Sequence, residues 1–112
     1  MPGKEALQRQ VCEAIERRAD LLIEMGETIR HQPELGFKEF KTAARVAEMF
    51  EAVRVPHRTG LAVTGVKAEL RGAMPGPTVA LIGELDALVV SGHPLADPIT
   101  GAAHACGHHP QV

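Results

Sequence analysis

Hydrophobic positions in the first thirty residues recur at helical spacing. Leu7, Val11, Ile15, Leu22, Met25 and Ile29 share one stripe, and Arg18 is its single polar interruption. The pattern predicts an amphipathic helix from about Lys4 to Arg30. It should stop near His31, because Pro33 disfavours helical geometry at Gln32 and has no backbone N–H to donate. A turn on Pro33 and Gly36 follows. Phe40, Ala43, Ala44, Ala47 and Phe50 mark a second helix from about Lys38 to Val53, although no strong N-cap residue precedes it. After Pro56 the period changes to two: Val66, Ala68 and Leu70 share one face, and Lys67, Glu69 and Arg71 the other, as in a half-exposed strand. Gly72, Pro75, Gly76 and Pro77 break that pattern. The run Val79-Ala80-Leu81-Ile82 is then apolar on both faces, which predicts a central strand covered on both sides.

Two helices, a hairpin-like strand pair and a loop from Val90 to Gly101 predict the opening of a layered α/β domain. The sheet is expected to be incomplete, since a central strand needs neighbours on both edges and the remaining residues do not readily supply them. At 112 residues the chain has room for one domain, and a domain of that size buries roughly 60 to 70% of its unfolded surface. A composition of 45% hydrophobic and 23% charged residues argues against disorder. No apolar run is long enough to cross a bilayer. The net charge of -2 and the pI near 6.3 leave no electrostatic footprint for nucleic acid. Cys12 and Cys106 lie far apart and do not form a disulfide framework, and Met1-Pro2-Gly3-Lys4 leads into charged residues rather than a signal-peptide core. A cytoplasmic setting is therefore expected.

Chemistry concentrates in two places. Glu84-Leu85-Asp86 follows the apolar run, and period two puts both carboxylates on one side, where they could hold a metal or orient its ligands. Taken alone, such a pair more often marks a solvated strand end, where burial stops. The second place is His104-Ala105-Cys106-Gly107-His108-His109, which with His93 gathers four of the six histidines. Imidazole and thiolate are strong ligands for zinc and similar ions, and Gly107 allows Cys106 and His108 a close approach to one site. The plainer alternative makes Cys106 a small buried apolar residue and the histidines loop residues. Cys12 reads as helix filling, His31 and His57 as solvent-facing residues beside turns, and His93 as an exposed residue of a Gly-Pro loop. Two other function classes stay open on the residues alone: a cysteine-nucleophile hydrolase pairing Cys106 with His104 or His108, and a metal-binding or interaction module without turnover.

Five segments stand in an order that resembles the N-acyl-amino-acid amidohydrolases, the family of hippurate hydrolase and the indoleacetyl-amino-acid hydrolases within the aminoacylase and carboxypeptidase group of two-metal peptidases. They are His31-Gln32-Pro33-Glu34-Leu35-Gly36-Phe37, Thr64-Gly65-Val66, Gly76-Pro77-Thr78-Val79-Ala80-Leu81, Glu84-Leu85-Asp86-Ala87-Leu88 and His104-Ala105-Cys106-Gly107-His108. The resemblance implies that residues 1–112 are the N-terminal segment of a catalytic metallohydrolase domain, without its lid domain, which often mediates dimerisation. It implies two divalent ions (zinc, manganese or cobalt) and a small N-acyl amino acid or peptide as substrate, with no nucleic acid and no membrane as partner. Carried over by position, Cys106 and His108 become metal ligands, Asp86 the residue that orients the site and Glu84 a further candidate ligand. Family members often have Asp or His where Glu84 stands, and usually Asp where His109 stands. The family's Glu-Glu pair and its other ligands are expected downstream, so residues 1–112 alone are expected to be inactive.

Overall fold

A computed structural model describes residues 1–112. Three helices come first: α1 (Lys4–Glu16), α2 (Ala19–His31) and α3 (Phe40–Ala52). The helix expected over Lys4 to Arg30 is thus two helices, with a break at Arg17 and Arg18. The Arg18 amide turns back to Ile15 O at 2.9 Å, a tighter three-residue turn, and α2 restarts with Leu22 N on Arg18 O at 3.0 Å. The apolar stripe runs across the break in phase, so spacing alone carries no mark of it. Nothing covers the first half of the stripe. Leu7, Val11 and Ile15 are each about half exposed and α1 buries no residue, whereas Ile29 at the end of α2 is 2% exposed. α2 ends at His31, where Pro33 requires it.

Residues after α3 form two small antiparallel pairs: β1 (His57–Leu61) with β2 (Gly65–Ala68), and β3 (Leu88–Val89) with β4 (Ala102–Ala103). β2 realises the first part of the expected alternation, with Val66 and Ala68 half-buried and Lys67 exposed, but it ends at Ala68 and leaves Leu70, expected on the covered face, 83% exposed. Its partner was not expected, and His57, read from sequence as solvent-facing, lies in β1 with its ring 5.8 Å from that of Phe50. The hairpin turn carries Ala62 and Val63 at φ 45° and 81°, the second a costly conformation for a β-branched residue. Thr64 beside them is buried and donates its hydroxyl to the buried Glu39 carboxylate at 2.7 Å, which ties the turn to the start of α3.

The central strand expected at Val79 to Ile82 does not form. Val79, Leu81 and Ile82 are 82, 98 and 87% exposed, because no other segment of the chain lies alongside to complete a ladder. The loop expected from Val90 to Gly101 forms with those bounds, connecting β3 to β4, and it is closed by Asp97. One Asp97 carboxylate oxygen accepts the amides of Ile99 and Thr100, at 2.9 and 2.7 Å, and the Thr100 hydroxyl at 3.0 Å. These bonds hold its carboxyl below the ordinary 3.8, the backbone amides most strongly. The turn should therefore be fully formed above pH 4 and loosen as pH falls through the lowered value. Amide exchange of Ile99 and Thr100 followed from pH 5 downward checks this, and Asp97→Ala should show the fast exchange at every pH.

The architecture is an α/β arrangement of helices followed by two small antiparallel strand pairs that do not join into one sheet, consistent with an incomplete layered domain. No helix is long and apolar enough to cross a membrane.

Candidate metal centre around His108

The segment bearing Glu84 and Asp86 is held by two neighbours. On one side, Ala87 N donates to Glu34 O at 2.8 Å and Leu35 pairs with Ala87 in a parallel bridge. On the other, the C-terminal loop runs alongside: Glu84 N donates to Gln111 Oε1 at 3.2 Å, and a Cβ at Gly83 would lie 3.0 Å from Gln111 O. The glycine therefore permits the close approach that brings the histidine-bearing loop to the carboxylates.

His108 sits between both carboxylates. Its Nδ1 lies 2.8 Å from Asp86 O and 3.0 Å from Asp86 Oδ1, and its Nε2 lies 3.1 Å from Glu84 Oε2. A backbone carbonyl only accepts, so Nδ1 carries a hydrogen, while Nε2 faces the Glu84 carboxylate. The bond to the Asp86 carbonyl, with the negative charges of Glu84 and Asp86, raises the His108 pKa above 6.5. The strand expected to carry Glu84 and Asp86 on one side does not form, yet both carboxylates reach the same imidazole, at its two nitrogens. Such a carboxylate on the far nitrogen of a histidine fixes its tautomer and ring orientation, as outer partners of ligating histidines do.

Cys106 is exposed, and the left-handed turn at Gly107, φ 77°, separates it from the half-buried His108. His104 is 7% exposed, and neither of its ring nitrogens has a partner; His109 Nδ1 is also buried and unpartnered. The two rings lie 5.4 Å apart. Burial lowers the His104 pKa first, and the nearby His109 and His108 charges add to it, with Asp86 and Glu34 opposing. Burial and then the Arg30 charge lower that of His109. Both rings therefore favour the neutral form, in which a lone pair is available, and a buried nitrogen left unpaired costs about 1 to 3 kcal/mol. His31 is exposed, as expected, and His93 is half-buried with its Nδ1 accepting from Leu95 N at 3.1 Å.

The donor kinds suit a divalent ion: imidazole, thiolate and carboxylate in one neighbourhood, with orphaned buried ring nitrogens beside them. The number gathered is smaller. No group of three or more His, Cys, Asp or Glu side chains converges in a metal-holding arrangement. A Cys106–His dyad is not assembled either, since both His108 nitrogens face carboxylates and both His104 nitrogens lack any partner.

Sequence reasoning assigned no role to Glu34. The signal was the absent N-cap of the second helix: Glu39 at the cap position makes no capping bond. The Glu34 carboxylate supplies it instead, accepting Lys41 N at 3.1 Å, Thr42 N at 2.7 Å and the Thr42 hydroxyl at 2.8 Å.

Among known proteins, the chain is 38% identical over 105 residues to YhaA of Bacillus subtilis, which is named as an amidohydrolase; the match covers 91% of this chain and 26% of YhaA. It is 36% identical over 97 residues to thermostable carboxypeptidase 1 of Saccharolobus solfataricus, covering 83% of this chain and 25% of that protein. Over 95 residues it is 35% identical to the N-acetylcysteine deacetylase of Bacillus subtilis, covering 78% and 24%. At partial length, the chain is thus similar to amidohydrolase, carboxypeptidase and deacetylase sequences of the aminoacylase and carboxypeptidase group. It spans about a quarter of the length of the curated relatives it matches. No family model matches it. No solved structure matches it.

Proposed function

We propose that residues 1–112 are the N-terminal segment of the catalytic domain of a metal-dependent amidohydrolase that cleaves the amide bond of N-acyl amino acids or small peptides. The observation that carries the reading is His108, with its Nδ1 held by Asp86 and its Nε2 facing the Glu84 carboxylate, in a chain whose relatives are named for amide and peptide hydrolysis. Cys106 and His108 are assigned as ligands, Asp86 as the residue that orients His108, and Glu84 as a further ligand candidate. A divalent ion bound there would polarise the amide carbonyl and lower the pKa of an attacking water. The buried His104 and half-buried His109, whose pKa values are lowered, lie beside that position and help to exclude water from it. An inserted lid domain, through which two copies dimerise, belongs to the same proposal.

In the full-length protein, Cys106→Ala and His108→Ala should each lower bound zinc, manganese or cobalt per chain, read by elemental analysis. Asp86→Ala should keep the ligands but cost about 10 to 100-fold in metal affinity or in turnover of N-acetyl and hippuryl amino acids. Unchanged stoichiometry in both ligand variants would sink the ligand assignment, and unaltered kinetics with full metal in Asp86→Ala would remove the role given to Asp86. Rapid alkylation of Cys106 that abolishes turnover, combined with activity that survives chelation, would favour a cysteine nucleophile instead.

A further inference from the structure

The His108–Asp86 contact does not stand alone; it is the last link of a chain that begins at a helix. The Glu34 carboxylate satisfies the Lys41 and Thr42 amides at the N-terminus of α3, where the helix dipole favours negative charge. The backbone carbonyl of the same residue accepts the amide of Ala87 at 2.8 Å. Ala87 is 4% exposed and directly follows Asp86, whose carbonyl and carboxylate both take His108 Nδ1. Between Glu34 and α3 lies a tight turn in which Lys38 N returns to Leu35 O at 2.9 Å and Phe37 sits at φ 60°. That left-handed conformation costs a non-glycine residue about 1 to 2 kcal/mol and persists only where its surroundings impose it. The anchors imposing it are the Glu34 carboxylate on one side and the buried Glu39 to Thr64 bond on the other.

We propose that Glu34 is a positioning residue: by clamping its own backbone to α3 it fixes Ala87, and through Ala87 it aims Asp86 at His108. The proposal deepens the metal-hydrolase reading and rests on it only where metal affinity is concerned. Without the clamp, the carbonyl that holds Ala87 swings with the 33–38 turn, and the Asp86 backbone loses its register with His108.

The test uses the full-length protein with nitrogen-labelled histidine, in the wild type and in Glu34→Ala, Glu34→Gln, Thr42→Val and Thr64→Val. Metal-free, the wild type should show a protected His108 Nδ1–H resonance and slow exchange of the Ala87 amide. Glu34→Ala should lose the resonance and speed Ala87 exchange at least tenfold. Thr42→Val, which removes a single donor from the carboxylate, and Glu34→Gln, which still accepts at one oxygen, should show partial effects. Thr64→Val loosens the opposite anchor of α3 and should lower thermal stability while leaving both signals in place. Cobalt titration then adds the site readout, with Glu34→Ala about tenfold weaker and Thr64→Val within twofold of wild type. Unchanged His108 and Ala87 signals in Glu34→Ala, or in Glu34→Gln and Thr42→Val if the alanine variant does not fold, overturn the clamp. So does an equal loss of both signals in Thr64→Val. A wild type that shows the metal-free signals but binds no cobalt overturns the metal reading and leaves the clamp standing.

Discussion

Residues 1–112 purified alone are expected to unfold without a sharp thermal transition and to bind a hydrophobic dye such as ANS strongly while still folded. The reason is surface. A compact protein of 12.0 kDa exposes about 6,000 Å² by the usual scaling, whereas this chain exposes 8653 Å². Its radius of gyration is 16.3 Å, against about 13 Å for a compact domain of 112 residues. Nine residues are buried, and Ile29 is the single large side chain fully out of water. With so little burial the backbone entropy of ordering, about 1 to 2 kcal/mol per residue, goes largely uncompensated. Val79, Leu81 and Ile82 add an exposed apolar segment with unpaired backbone groups, the kind of strand that recruits other chains. Calorimetry should therefore fall well short of the roughly 80 kcal/mol unfolding enthalpy of an ordinary domain of this length. The double variant Leu81→Lys with Ile82→Lys should reduce dye binding and aggregation with helix content unchanged. A single cooperative transition of full enthalpy would overturn this account.

What was legible in the sequence was local. The 3.6-residue spacing gave the end of α2 at His31 and the existence of α3, because those follow from Pro33 and from side chains a turn apart. The break at Arg17 and Arg18 was not legible, since a stripe that stays in phase looks the same through a kink as along a straight helix. β1 escaped because His57-Arg58-Thr59-Gly60-Leu61 has no alternation of its own. It becomes a strand only through β2, and that pairing is non-local information. The opposite error occurred at Val79 to Ile82, whose residues suit a buried strand but find no neighbour.

The site divides in the same way. Period two pointed Glu84 and Asp86 to one side of a strand that does not form, and the two carboxylates meet instead at the two nitrogens of His108. Spacing could not tell that the left-handed turn at Gly107 would leave Cys106 exposed, or that His104 would be buried with both nitrogens unpaired. Those outcomes depend on how the loop packs against the segment from Gly83 to Ala87 and on the Gln111 contacts that hold it there. The missing N-cap was noticed from sequence, but its replacement by Glu34 needs a carboxylate eight residues before Thr42 to fold back, which only the turn at Gly36 and Phe37 makes possible.

Residues 1–112 are further expected to show no metal-dependent hydrolysis of N-acetyl or hippuryl amino acids under conditions where the full-length protein turns over. Catalytic zinc sites hold their ion with three protein ligands, and here no three donors converge. Cys106 points to solvent, and the Nε2 of His108 is already opposed by Glu84 at 3.1 Å, so an ion would have to displace a carboxylate to reach it. The proton transfers are a second shortfall. Glu84 and Asp86 are both engaged with His108, which leaves neither as a free general base, and losing a positioned base costs on the order of 10² to 10⁴ in rate. Weak ion binding multiplies that loss, and turnover by the segment should fall below detection. The measurement is a side-by-side assay of residues 1–112 and the full-length protein with zinc, manganese or cobalt added, at equal site concentration. Turnover by the segment that depends on metal and matches the full-length protein would falsify the assignment of these residues as one part of a divided site.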